Sequence, residues 1–409
     1  MKKNRIIAFF LGILLPIESM IYCCCNPKNH NFKFLFVLFF IFYSLALIYQ
    51  KQGTVLGETS DVGRYVEEFI DIAGKEHLSF LQYFRSQSVD LQIDYYRSFM
   101  TWFVSRITTN PRIFLAVLTF IMSCFFAANV WYVIRKVNIS TIVKLLLILL
   151  ILIPKPTSIT HRWWTALQVF LFGVLPFVWE QNRKRSLFCI LSVFIHFSFI
   201  FPLIMLFIYK LLPKKSFVPY FIIFLGASII SWSGIDIANM AVKFGIFMPS
   251  NYYERSSAYL HAELIDRNFF SQSAKVIFGI VNLLLPLIIY QRVKLRLLSN
   301  KSLSNLLILS LMMGSFAVLA DSTTWGYRYL DLSNFLFCSF YILIFSDIEI
   351  QSRIQSKIKY FIPFFIYIIV FQIRAFLDMI GLEDLFLGNY ITTWFLEKNI
   401  SVLDYIKTF

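Results

Sequence analysis

Long apolar runs separated by shorter polar stretches repeat along nearly the whole chain. The runs cover residues 6–25, 32–49, 112–133, 140–154, 163–179, 187–209, 216–235, 274–291, 302–320, 328–346 and 358–377. A helix crossing the roughly 30 Å hydrocarbon core takes about 20 apolar residues. Barrel strands alternate apolar and polar positions and do not produce runs of this length. The pattern predicts an all-α fold, a polytopic transmembrane helical bundle with about 10–11 membrane segments. No fixed-period repeat or low-complexity tract divides it, so residues 1–409 read as a single domain.

The stretches between the runs fall into two kinds. The short ones, "NPKNHNFK" (26–33), "RKVN" (135–138), "EQNRKRS" (180–186), "KLLPKK" (210–215), "QRVKLRLLSNK" (291–301) and "SRIQSKIK" (352–359), are basic. Lys and Arg collect in cytoplasmic loops, so all of these are expected inside, and the long stretches 50–111 and 236–273 outside. Within the first long stretch, "YYRSFMTWFVSRI" (95–107) is amphipathic and reads as a helix lying in the membrane interface.

That assignment creates two conflicts. "EQNRKRS" and "KLLPKK" are both basic, yet only the run 187–209 separates them. A re-entrant hairpin bending near Pro202 would return the chain to the same side and carry His196 to membrane depth, which is tolerated where protein or a watery cavity surrounds the backbone. The N-terminus, "MKKNRIIAFFLGILLPIESMIYCCC", has a basic start and an apolar core but no A-x-A-like cleavage site, and reads as an uncleaved first membrane segment. As a single crossing it would leave "MKKNR" outside, against the charge rule.

Composition agrees with a bilayer protein: 58% of the residues are hydrophobic, 19% aromatic and only 15% charged. A soluble domain carries about a quarter charged residues. The net charge of +15 would point to nucleic acid in a soluble chain, but cytoplasmic loops account for it here, and no nucleic-acid partner is expected. The six Cys have no C-x-x-C or metal-ligand spacing, so neither a redox nor a zinc role follows, and no cofactor or metal is expected.

The polar residues at the run ends sort onto the outer side. Asp61, Arg64 and Tyr65 in "GETSDVGRYVEEF" are spaced to share one helix face. Arg162 opens the run 163–179, Tyr252, Tyr253 and Arg255 lie in "NYYERSSAY", and Asp321, Arg328 and Tyr329 flank the outer end of 328–346. His196 approaches the same side from below. Ionisable groups in such places cost about 2.5–3.5 kcal/mol each on insertion scales and usually face a cavity or a partner. Several guanidinium groups around one outward cavity suit an anion, since the Arg fork matches phosphate oxygens bidentately. Asp61 and His196 are the nearby groups able to accept a proton. An Arg clamp with a base is what glycosyl transfer from a lipid diphosphate needs.

Plainer readings stand beside these. Arg162 and Arg328 also fit as snorkelling anchors at run ends. His196 fits as an interhelical hydrogen-bonding residue, Asp61 as a helix cap, and "YYERSSAY" as a structured loop. Trp163 and Trp164 read as an interfacial aromatic belt.

Taken together, the motifs resemble the EpsG-type (Wzy-like) bacterial polysaccharide polymerase family. The resemblance rests on Asp61-x3-Tyr65-x3-Phe69, Arg162-x3-Ala166, "IHFSF" with His196 and Ser198, and Arg328-Tyr329, in that order along most of the chain. The chain departs from the family pattern where Lys51 is the only base ahead of Asp61, and where two Trp follow Arg162 in place of smaller side chains. The resemblance implies a membrane glycosyltransferase of the bacterial inner membrane. It would polymerise undecaprenyl-diphosphate-linked oligosaccharide repeats at the outer face, into capsule, exopolysaccharide or O-antigen. A chain-length regulator and a flippase of the same pathway are the implied partners, besides the lipid bilayer itself. On that basis Asp61 and His196 are the candidate catalytic residues, and Arg64, Tyr65, Arg162, Arg255, Arg328 and Tyr329 the candidate substrate-binding ones.

Three other functions remain open at this point, one of them a glycan-modifying membrane acyltransferase, whose catalytic His would sit with a nearby acid or Arg on an early helix, an arrangement the first spans here lack. A glycosyltransferase using a polyprenyl-monophosphate sugar would carry paired metal-binding acids in the first outer loop, where this chain has Glu58 and Asp61 three apart. A non-enzymatic flippase of the lipid-linked glycan would favour repeated helices and a charged central channel. P-loop, H-E-x-x-H, G-x-S-x-G and G-x-G-x-x-G motifs are all missing, which argues against nucleotide-driven transport.

Overall fold

The computed structural model describes residues 2–50, 61–75, 77–87, 95–152, 161–214, 216–233, 269–320, 327–354, 358–373, 388–392 and 405–406. Among them the helices are α1 (Lys2–Leu14), α2 (Pro16–Cys25), α3 (Phe32–Gln50), α4 (Asp61–Ala73), α5 (Phe80–Ser86), α6 (Tyr95–Ser105), α7 (Pro111–Ile134), α8 (Thr141–Leu152) and α9 (His161–Glu180). They continue as α10 (Leu187–Ile195), α11 (Ile200–Leu211), α12 (Val218–Trp232), α13 (Phe269–Ser299), α14 (Lys301–Ala320), α15 (Tyr327–Leu343), α16 (Ile348–Ile354) and α17 (Ile362–Ile368). The described residues contain no strand. Among the described residues, four helical stretches, 111–134, 161–180, 301–320 and 328–346, are long and apolar enough to cross a membrane, or up to five if the bent 348–354 and 359–371 pair counts as one span. Several other apolar helices are shorter.

Contacts between helix ends place the basic loops together. The end of α7 meets the end of α9 where Lys136 Nζ donates to Glu180 Oε1 at 2.5 Å. Ser302 Oγ, in the first turn of α14, donates to the Trp179 carbonyl at 2.8 Å. Asn138 Nδ2 reaches Gln351 Oε1 at 3.4 Å. The start of α3 joins the same end, with Phe32 against Trp131 (ring centroids 5.9 Å apart). The stretches at 26–31, 135–140, 181–186 and 300 therefore share one end of the bundle. α4, α5, α6 and the starts of α7, α9 and α15 occupy the other.

Residues 187–211 form the re-entrant hairpin. α10 and α11 have 9 and 12 residues, about 14 and 18 Å, each too short to cross alone. α10 climbs along α9, with Cys189 Sγ bonded to the Phe170 carbonyl (3.6 Å) and Phe199 packed on Trp163 and Phe170 (centroids 5.8 Å each). Gly173 permits this approach, because a Cβ there would lie 2.8 Å from both the Arg185 carbonyl and Cys189 Sγ. The chain breaks at His196 (φ −148°, ψ 114°), six residues before the Pro202 suggested by the sequence, and Pro202 itself lies in the first turn of α11, where proline is tolerated. α11 starts beside the end of α14, with Phe201 stacked on Phe316. It ends before Pro213, whose carbonyl accepts from Tyr220 Oη (2.5 Å) on α12. α12 then rises along α14 to Ser231, whose Oγ donates to the Val318 carbonyl (2.7 Å). Both feet of the hairpin thus stand at the basic-loop end. Single cysteines at Ser186 and Ser216, in a Cys-free background, should both resist an impermeant thiol reagent applied from outside. Labelling at Ser216 with none at Ser186 would make 187–211 an ordinary crossing.

The first segment is corrected. Residues 6–25 are not one crossing helix: the backbone breaks at Leu15 (φ −136°, ψ 62°), immediately before Pro16, since proline disfavours α conformation in the residue preceding it. α1 runs alongside α3, with Phe9 stacked on Phe34 and Gly12 against Leu38. α2 returns to the loop before α3, where Asn29 Nδ2 donates to Tyr22 Oη (3.0 Å). The N-terminal Lys residues therefore share the end that holds the other basic loops, and the charge conflict disappears.

Candidate functional site

The apolar face of α4 docks on α6 and α7 through Tyr65, Phe69, Met100, Val104, Phe114, Leu115 and Leu118. Phe69 stacks on Phe114 with centroids 4.5 Å apart. This docking carries Tyr65 inward until it is 4% exposed. Its hydroxyl oxygen accepts a hydrogen bond from Arg162 Nε at 2.8 Å, and the Arg162 guanidinium carbon lies 5.1 Å from the ring centroid. Arg162, in the first turn of α9, is therefore held inward by Tyr65, and the snorkelling-anchor reading does not describe it. Trp163 and Trp164 are 2% and 3% exposed and meet edge to face. The expected interfacial belt is corrected: the first turn of α9 lies inside the bundle, under Phe199 of the hairpin.

His196 sits at the tip of the hairpin. Its Nδ1 accepts from the Ser198 backbone N–H (3.3 Å) and lies 2.8 Å from Ser198 Oγ. With the Nδ1 lone pair engaged by a backbone donor, the neutral ring carries its hydrogen on Nε2, an assignment made from the hydrogen bonds. Tyr329, 1% exposed, donates from Oη to the Ser198 carbonyl at 2.8 Å and packs on Phe316 (centroids 4.9 Å apart). Tyr329 thereby ties the start of α15 to the hairpin tip and sets Arg328 beside it. Residues separated by as much as 264 positions in the chain, Tyr65 and Tyr329, are drawn to one place.

Asp61 and Arg64 lie in the first turn of α4, where the helix sets Asp61 one turn before Tyr65. Arg255, Tyr252, Tyr253 and Asp321 lie outside the described residues. The helix expected over 95–107 is present as α6, with Tyr95, Phe99 and Phe103 exposed on one side and Ser98, Thr101 and Ser105 buried on the other.

Several residues of this region carry no motif. Arg97, on α6, lies 4.5 Å from the Tyr65 ring centroid and forms an ion pair with Glu68. Glu68 also accepts from Tyr83 Oη and from Gln87 Nε2 (2.7 Å), and Gln87 Oε1 accepts from Ser98 Oγ (2.6 Å). Burial holds the Tyr83 hydroxyl above its usual range, so it remains a donor. His161 is fully buried beside Arg162, and Asp331, 4% exposed, stands one turn after Arg328. The signal that could have found Glu68 and Arg97 is weak: an acid and a base on two amphipathic helices of the same loop. Among the described residues, no three His, Cys, Asp or Glu side chains group as a metal site would require.

The geometry brings the helix starts that bear Arg162 and Arg328 to the hairpin tip that bears His196, with Tyr65 and Tyr329 as buried supports and Asp61 one turn before Tyr65. Guanidinium groups are suited by charge and by their fork of donors to an anion with several oxygens. The profile of the EpsG family matches residues 33–387 of the chain. No curated protein and no solved structure shows a significant match.

Proposed function

Because the chain belongs to the EpsG family, a group of polysaccharide polymerases, and is a multi-pass membrane protein, we propose that it joins undecaprenyl-diphosphate-linked oligosaccharide repeats into a bacterial polysaccharide. The transfer would take place at the outer face of the inner membrane. The observation that carries this reading is that the starts of α9 and α15, which bear Arg162 and Arg328, both pack on the hairpin tip, through Trp163 on Phe199 and Tyr329 on the Ser198 carbonyl, at the end of the bundle opposite the basic loops. Basic loops face the cytoplasm, which turns the arginine cluster outward.

In the proposed reaction an acceptor hydroxyl on one lipid-linked glycan attacks the anomeric carbon of another. The new C–O bond forms as the bond from that carbon to the diphosphate oxygen breaks. Undecaprenyl diphosphate leaves, and the hydroxyl proton passes to a base. Arg162 and Arg328 bind the diphosphate and stabilise the charge that grows on it. His196, with Nδ1 occupied by Ser198, donates from Nε2 to a phosphate or sugar oxygen. This leaves Asp61, one turn before Tyr65, as the base. Capsule, exopolysaccharide and O-antigen are the products of such a reaction.

Purified protein in lipid nanodiscs, supplied with lipid-linked repeats extracted from a strain lacking this chain, should yield a ladder of multimers and free undecaprenyl diphosphate. Single repeats that stay single in this assay, together with unflipped repeats accumulating at the cytoplasmic face of the deletion strain, would replace polymerisation with transport.

A further inference from the structure

Glu68 is an acid inside a wall of the arginine cluster, and its side chain is only 16% exposed. A carboxylate in such a place is retained when its oxygens are bonded, and here Arg97, Tyr83 and Gln87 all donate to it. The ion pair with Arg97 holds that guanidinium over one side of the Tyr65 ring (4.5 Å to the centroid), while the Arg162 guanidinium approaches the same ring at 5.1 Å. Tyr65 is thus placed by Arg97 and in turn fixes Arg162 through the 2.8 Å bond to its hydroxyl. Gln87 and Ser98 brace the pair from the α5 and α6 sides.

We propose that Glu68 is a positioning residue for the phosphate-binding arginine: through Arg97 and Tyr65 it sets the orientation of the Arg162 fork. The chain of contacts is continuous and each member has a defined partner. Cation–π contacts on both guanidinium groups restrict how Tyr65 can tilt, and the Nε–H bond removes rotation of the Arg162 fork about its own stem. A fork that must meet two oxygens of a diphosphate works only in a narrow range of angles. The helices α4, α5 and α6 therefore belong to the site as the support of its clamp. This inference rests on the proposed diphosphate-binding role of Arg162.

The test is a set of double-mutant cycles on full-length protein in nanodiscs, with lipid-linked repeat as substrate and the thermal midpoint followed for every variant. Glu68→Gln keeps the size of the side chain and most of its hydrogen bonds while releasing Arg97. It should lower kcat about fivefold with little change in KM, and Glu68→Asp should recover part of the loss. In an Arg162→Lys or a Tyr65→Phe background, Glu68→Gln should produce less than a twofold further loss, because the residue it acts through is already removed. A merely structural ion pair would instead lower the thermal midpoint and multiply its effect onto either background. Independent, multiplying losses or an unchanged kcat in Glu68→Gln would overturn the proposal. Full activity in Arg162→Lys by itself would remove the clamp and the relay together, and would mark the failure as one of the underlying reading.

Discussion

Asp61→Asn should reduce chain growth by about 100-fold or more, the scale of losing a general base, while leaving the protein folded and able to bind lipid-linked repeat. An aspartate carboxylate is ordinarily ionised at neutral pH and can accept the proton of an attacking hydroxyl. An amide of the same size keeps most of its hydrogen bonding but has no basic site. The position favours Asp61 over His196, because it begins α4 one turn before Tyr65, at the end of the bundle to which the proposed reaction would bring the acceptor. The His196 ring has Nδ1 committed to the Ser198 backbone. The measurement is polymer yield from purified wild type and variant with the same lipid-linked repeat, each with and without a metal chelator. Robust polymer from Asp61→Asn would move the base elsewhere, with the buried Asp331 next to Arg328 as the first place to look. Activity abolished by chelation and restored by magnesium or manganese would make Asp61 a metal ligand, and would favour the monophosphate-sugar glycosyltransferase.

Arg162→Lys should lower kcat about tenfold, the equivalent of about 1.4 kcal/mol of lost stabilisation, at normal expression. Lysine preserves the charge but not the planar fork, nor the Nε–H that binds the Tyr65 hydroxyl. The same replacement at Arg328 should act in the same direction, since the Tyr329 bond to the Ser198 carbonyl sets the start of α15 at the hairpin tip. Turnover with lipid-linked repeat, compared at equal amounts of folded protein, gives the answer. Unchanged turnover in both variants would reduce these arginines to structural residues.

How far the site could be read ahead of the structure differs from one residue to the next. Arg162, His196, Arg328 and Tyr329 interrupt apolar runs or stand at their ends, where a polar group is costly and therefore visible. Glu68 and Arg97 lie in a polar loop where charges are commonplace, and nothing local says that 29 positions apart they form a pair over Tyr65. His161 and Asp331 stand at or within apolar runs, beside Arg162 and one turn after Arg328, and no motif singled them out. The Trp163–Trp164 pair was misjudged because an aromatic pair at a run end looks the same whether it meets lipid headgroups or the tip of a hairpin.

By itself, the sequence determined that the chain is helical and membrane-embedded and that its short loops are basic; for 187–209 it left a charge conflict that a re-entrant hairpin was one way to resolve. These follow from summed quantities, apolar length and loop charge, which are insensitive to the details of packing. Only the tertiary structure decided where that hairpin breaks, that residues 6–25 form a second broken pair, and which guanidinium meets which ring. A run of apolar residues has the same hydropathy whether it crosses once or folds back on itself; the difference lies in what packs against each turn. Partners far apart in the chain, such as Tyr65 with Arg162 and Ser198 with Tyr329, are chosen by the docking of whole helices, a long-range term that no local pattern contains.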